Sequence, residues 1–377
     1  MKSMQKIKKL LPNLLLLSLS ITLSLFVVEI IARKIGHEEF AQNRLYILSD
    51  YSVFVYKPDT DAILKRQEFT TDVKINSKGI RDYEYDYEKG KNVKRIEMFG
   101  DSFIAAFQVP LEKSISKKLE SSLNKNSKSI KYEVLNMGLS GSGPTPQVLL
   151  LGKEGIKYNP DMVIFNLYMG NDFVKVDYGI SGSMPKEIFQ DSSNLENAAF
   201  KVTKIQKLKN IIFRNYFTYS YLKNVINNIR YGEANDIAYS EINIYKKQYP
   251  ENVERNLDKL KIILKHLKRY TDEKRIKLLV VLIPTKAQVD KEKFADLAEQ
   301  YSLNASELEI NKAQKIFLQF GRENNITMID LLPEFSKRNK NNTFYFEIDG
   351  HWNEKGQELA ANFIYENLIN SRILQKG

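Results

Sequence analysis

From Arg95 onward, short runs of almost uninterrupted apolar residues alternate with longer segments whose apolar residues recur at helical spacing. The strand candidates are 95–99, 132–136, 162–167, 277–283 and 327–329; the helix candidates are 111–123, 146–157, 253–268, 306–320 and 354–368. A strand that lacks polar alternation is covered on both faces. Strands of that kind separated by helices assemble into a parallel sheet between two helix layers. The expectation is an α/β fold, a three-layer α/β/α sandwich. In such folds, functional residues collect at the carboxyl ends of the strands.

Ahead of this region, Lys2, Lys6, Lys8 and Lys9 precede an apolar stretch that continues to Ala32, with Glu29 near its far end. About twenty such residues cross a bilayer as a helix. The basic flank predicts a cytoplasmic amino terminus. A cleaved signal peptide is the competing reading. No small-x-small cleavage site follows the run, and the run is long for a signal core, so the uncleaved anchor is preferred. Either way, the rest of the chain is expected outside the cytoplasmic membrane, in a bacterial cell envelope. The expected divisions are a basic stub and transmembrane anchor at 1–34, an extracytoplasmic lead-in segment at 35–94, and a main domain at 95–377. The lead-in carries strand-like pieces at 51–56 and 69–75 and a turn signal at 76–79.

The stretch 177–250 breaks the alternation and is too long for a simple crossover. Within it, residues 201–230 hold seven Lys/Arg, no Asp/Glu and several aromatics. One reading is an inserted helical hairpin packed on the domain; the other is a cap beside the site or a basic surface against lipid headgroups. The formal charge of +11 favours anionic partners. Zinc-finger spacing, an RNA-binding aromatic motif and a P-loop are all missing, and the membrane segment also argues against nucleic acid. With no cysteine, the chain can form no disulfide, thiolate nucleophile or cysteine-ligated metal site.

Four short motifs stand at the ends of expected strands or beside the last helix. They are Gly100-Asp101-Ser102, Asn136-Met137-Gly138-Leu139-Ser140-Gly141, Met169-Gly170-Asn171-Asp172 and Asp349-Gly350-His351-Trp352. Their order and contexts resemble the SGNH (GDSL) hydrolase superfamily, over residues 95–175 and about 270–370. The resemblance implies a flavodoxin-like parallel sheet and acyl-ester chemistry at Ser102, without cofactor or metal. A hydroxyl is a poor nucleophile unless a base adjoins it. Of three histidines, His37 lies beside the anchor and His266 within a helix candidate; His351 alone has a carboxylate two residues away in an expected loop. Asp349 would orient His351, with Glu347 as a nearby alternative. The resemblance assigns the oxyanion hole to the Ser102 and Gly141 backbone N–H groups and the Asn171 side chain. Gly138 is a second loop glycine, Asp101 and Asp172 are expected to hold turns, and Trp352 either lines the site or fills the core.

The one-residue spacing in Asp349-Gly350-His351-Trp352 is similar to exopolysaccharide (alginate-type) O-acetyltransferase domains, as is Pro284-Thr285-Lys286. There, however, the Asp/His motif precedes the serine; here Ser102 comes first, as in ordinary SGNH hydrolases, and the chain is not assigned to the alginate group. The expected activity is that of a serine esterase or O-acyltransferase, acting on a cell-envelope polysaccharide or lipid-linked glycan. A membrane acyl-donor partner protein would complete a transferase. The competing class is a non-catalytic, membrane-tethered glycan-binding or assembly module that keeps the fold.

Overall fold

The computed structural model describes residues 2–35, 41–51, 53–174, 176–177, 194–197, 202–219, 221–222, 226, 241–340, 343–371 and 373. Five parallel strands form the central sheet: β5 (Val93–Gly100), β6 (Lys131–Gly138), β7 (Met162–Tyr168), β8 (Lys277–Ile283) and β9 (Thr327–Asp330). Their order is β6-β5-β7-β8-β9, the flavodoxin-like arrangement in which β5 lies beside both β6 and β7. The register pairs Phe99 with Met137 on one side and Phe165 on the other. The loops that follow these three strands are therefore neighbours.

Successive strand residues point to opposite faces, and each face has its own core. Ile96, Met98, Ile164, Leu279 and Val281 meet helices α3 (Ile115–Lys125) and α11 (Glu354–Asn370) through Leu119, Ala360 and Ile364. Phe99, Val163, Phe165, Val280 and Leu282 meet α4 (Pro144–Lys153), α6 (Glu251–Glu273) and α9 (Lys312–Glu323). In α6 the buried residues Val253, Leu257, Leu260, Leu264 and Leu267 fall three or four apart, which places them on one stripe. Burial of each such leucine contributes about 1.5–3 kcal/mol. The sheet also buries Glu97 completely; burial raises its carboxyl well above the usual range.

Two antiparallel ribbons precede the sheet: β1 (Tyr46–Leu48) with β2 (Phe54–Tyr56), and β3 (Thr60–Lys65) with β4 (Thr70–Ile75). Leu45, Val53, Tyr56, Leu64, Val73 and Ile75 join the same core as Phe99. At the amino terminus, α1 (Lys2–Ile35) is a single helix that includes Pro12, and Pro12–Lys34 is long and apolar enough to cross a membrane. About half of the expected 177–250 insertion falls on described residues. Its longest described helix is α5 (Lys204–Asn215), opened by a reciprocal Thr203–Gln206 capping box.

Element boundaries depart from the periodicity at identifiable places. The helix expected at 146–157 starts earlier, at Pro144, where a proline is tolerated in the first turn. It ends at Lys153, and Gly155 then packs against the Glu97 and Phe99 side chains. The segment expected at 111–123 is a short 3-10 turn, Leu111–Lys113, followed by α3 after Ser114. The helix expected at 306–320 begins only at Lys312. Strands β1 and β3 and helices α7 (Lys286–Val289), α8 (Lys291–Gln300) and α10 (Leu332–Arg338) have no counterpart among the expected elements.

Candidate active site

Ser102 is the first residue of a one-turn helix, α2 (Ser102–Ala105), that leaves the carboxyl end of β5. Asp101 caps this turn: its Oδ1 accepts from the Phe103 N–H at 2.9 Å. At the other end, the buried Arg81 guanidinium donates to the carbonyls of Ala105, Ala106 and Val109 at 2.6–2.7 Å. The turn must also sit tight against β6. A Cβ on Gly138 would come within 2.2 Å of the Ala105 nitrogen, which accounts for the glycine there on packing grounds alone.

His351 reaches Ser102 from the loop before α11. Its Nε2 lies 2.7 Å from Ser102 Oγ, and its Nδ1 lies 2.7 Å from Asp349 Oδ1. The one-residue spacing works because the loop closes as a narrow antiparallel turn. Phe346 N–H donates to the His351 carbonyl and Tyr345 bridges Trp352. Gly350 sits at the bend with φ +77°, a conformation that favours glycine. Glu347 does not compete with Asp349 for the histidine. It pairs with Lys286 at 2.8 Å and Lys293 at 2.9 Å. Trp352 fills the core, fully buried and stacked on Phe335, while the Phe103 ring adjoins the His351 imidazole.

Burial by itself would lower the His351 imidazole, but the hydrogen bond and charge of Asp349 outweigh it, with Asp101 adding to them. The imidazole is thus held above its usual value. Asp349 moves the opposite way: burial would raise it, and its bond to His351 holds it below the ordinary carboxylate value. Burial pushes Asp101 up to about 6. Asp172, buried and facing the charge of Asp101, is raised well above the usual range, and its Oδ2 accepts from Tyr168 N–H at 2.7 Å. A base at His351 works only when neutral. Because its folded pKa lies above the unperturbed 6.5, kcat/KM for an ester is expected to fall on acidification through a midpoint above 6.5, not at or below it. A pH–rate profile of the free enzyme checks this.

Gly141 lies exposed on the loop after β6 with φ +71°. Asn171 lies in the turn after β7, closed by the Asp172 contact to Tyr168. Both loops flank the β5 end that carries Ser102, because β6 and β7 are the two neighbours of β5. The structure therefore brings the serine, imidazole and carboxylate into one hydrogen-bonded line, and sets Gly141 and Asn171 on the strand ends to either side.

Two residues of the lead-in segment escaped sequence reading. Arg81 holds the turn that carries Ser102. Glu68, at the β3–β4 turn, accepts three consecutive backbone N–H groups of the His351 loop: Glu347 at 2.7 Å, Ile348 at 2.9 Å and Asp349 at 2.8 Å. Neither belongs to a motif, and a lone charged residue far away in sequence gives no signal of such a role. Replacing Glu68 by glutamine sets an amide NH2 against one of these donors. The expected result is a loss of kcat of about 10- to 100-fold with KM little changed, since a shift near 1 Å at the catalytic group costs on that order. Steady-state kinetics beside a thermal melt separates this from unfolding.

No curated protein matches the chain in sequence. Among solved structures, an acetyl xylan esterase, AlAXEase, aligns at 15% identity over 73% of this chain and 99% of its own, with a TM-score of 0.40. The lipase/acylhydrolase from Enterococcus faecalis aligns at 13% identity over 73% and 95%, also at 0.40. At such TM-scores neither likeness says more about this chain. The family whose model matches is described as the SGNH hydrolase-like domain of acetyltransferase AlgX, and the match covers residues 244–376. That span includes Asp349 and His351 and ends before neither; it leaves out Ser102, Gly141 and Asn171. Over those residues, about a third of the chain, the protein is similar to that SGNH hydrolase-like domain; the α/β fold with its five-stranded parallel sheet stands on its own geometry.

Proposed function

We propose that the protein is a membrane-anchored, extracytoplasmic serine esterase or O-acyltransferase that works through an acyl-Ser102 intermediate. One observation carries the reading: the continuous line from Ser102 Oγ to His351 to Asp349, each step 2.7 Å. In the proposed cycle His351 Nε2 takes the Ser102 proton as Oγ attacks the ester carbonyl. Asp349 holds the imidazole by Nδ1 and stabilises its protonated form. The Ser102 and Gly141 N–H groups and the Asn171 amide stabilise the oxyanion; removal of one such donor costs about 10²–10³ in rate. His351 then returns the proton to the leaving alcohol. Water or a sugar hydroxyl, deprotonated by the same imidazole, releases the acyl group.

The buried Glu29 supports an anchor that is retained. Its carboxylate accepts from the backbone N–H groups of Phe217 and Thr218, at 2.8 and 2.9 Å, so cleavage beyond it would strip a partner from the main domain. An anchor and a basic surface suit a cell-envelope polysaccharide or lipid-linked glycan as acceptor. The test follows the fate of acetyl from p-nitrophenyl acetate with the full chain and added envelope oligosaccharide. Acetyl on the sugar marks a transferase and free acetate an esterase; absence of both, on this and on acetylated glycans, would contradict the proposal.

A further inference from the structure

The contact that holds Glu29 also fixes the level of a second helix. Besides the two amides, Glu29 accepts from Arg33 Nε at 2.7 Å, and the Arg33 guanidinium donates to the Asn215 carbonyl. The carboxyl end of α5 is thus clasped to the outer end of α1. Glu29 stands five residues before Lys34, where the apolar span ends. At 1.5 Å per residue this is about 7.5 Å below that end. It matches the depth of roughly 5–10 Å at which amphipathic helices lie in a bilayer surface.

The side chains of α5 suit that level. The helix has no buried residue. Ile205, Leu208 and Ile211 are 65%, 57% and 49% exposed, a run of apolar side chains with about half or more of their surface left open. Lys204, Lys207, Lys209 and Arg214 accompany them without any acidic residue; Lys207 pairs with the exposed Asp50. Just beyond, Tyr216, Tyr219 and Tyr221 are also exposed. Tyrosine is favoured at the headgroup level, and lysine and arginine there meet anionic lipid.

We propose that α5 lies in the headgroup boundary of the bilayer that α1 crosses, with its apolar side chains among the acyl chains and its basic residues against anionic headgroups. This rests on the reading of α1 as a retained anchor. It has a consequence for the site. Asn210 of α5 accepts from the Leu48 N–H of β1. Tyr46 of β1 and Tyr56 of β2 hold Ser140, through its carbonyl and its N–H respectively. The lipid-lying helix is therefore joined through one ribbon to the loop of Gly141, and the site is held close to substrates presented at the membrane surface.

The experiment uses the full chain in vesicles of phosphatidylcholine and phosphatidylglycerol, with lipids brominated either near the headgroup or near the chain end. Trp352 is the sole native tryptophan and is fully buried, so it gives a constant background. Leu208→Trp reports on α5 and Leu19→Trp on α1. Expected is strong quenching of Trp emission in the Leu208→Trp protein by shallow bromines and weaker quenching by deep ones, with the reverse in Leu19→Trp. Quenching in Leu19→Trp but none in Leu208→Trp would overturn the proposal while leaving the anchor, and would mean that protein or water covers α5. Quenching in neither would overturn both.

Discussion

The Ser102→Ala protein is expected to fold as the wild type does and to lose about 10³- to 10⁶-fold in kcat on any ester the wild type cleaves. Ser102 lies at the first position of α2, where the turn is held by others: Asp101 caps it and Arg81 binds its far carbonyls. The hydroxyl contributes one contact, to His351 Nε2. A single hydrogen bond of this kind is worth about 1 kcal/mol net, so the thermal midpoint should move little. On the proposed acyl-Ser102 route the large loss would be confined to the chemical step, because without Oγ no acyl-enzyme could form. KM should stay close to wild type. Burst kinetics and a melting curve on the same preparation check both halves of this expectation.

Asp349→Asn is expected to cost about 10⁴ in kcat, whereas Glu347→Gln should change it less than about tenfold. The two residues were rivals in sequence, two positions apart. In the structure Asp349 Oδ1 meets His351 Nδ1, while Glu347 faces Lys286 and Lys293 on an exposed edge. An asparagine at 349 keeps the shape but loses the charge that stabilises the imidazolium and enforces the tautomer with its free lone pair toward Ser102. The pH profile adds a second signature. Asp349 is the main influence holding His351 above its usual value, against burial. Its neutralisation should move the acidic limb of kcat/KM to lower pH, a shift that simple loosening of the loop would not give. A large loss in Glu347→Gln with an active Asp349→Asn would reverse the assignment.

The sheet was legible because its strands are buried on both faces. Runs such as Lys277–Ile283 have no polar interruption to confuse with another period, and helices such as α6 and α9 bury one stripe each. Strands of three residues, as in β1, carry too few side chains to show any period. Helix ends were less legible, since they are set by contacts distant in sequence, as at Gly155 against Glu97 and Phe99. For the site, the residues at strand ends could be found because their motifs are local. The resemblance favours Gly141 over Gly138; the structure adds that Gly138 packs closely on α2 and that Gly141 sits in a left-handed turn. Glu68 and Arg81 were invisible because each acts through backbone groups, and backbone groups leave no trace in the sequence that donates or receives them.

The most direct test of the account is to trap the acyl-enzyme. The full chain is mixed with an activated acetyl ester, quenched in acid within the burst phase and digested, and the acetylated peptide is sequenced by mass spectrometry. One acetyl group is expected on Ser102, absent from Ser102→Ala, and accumulating when deacylation is slowed. An acetyl group on another residue, or turnover of the ester with undiminished rate in Ser102→Ala, would contradict it.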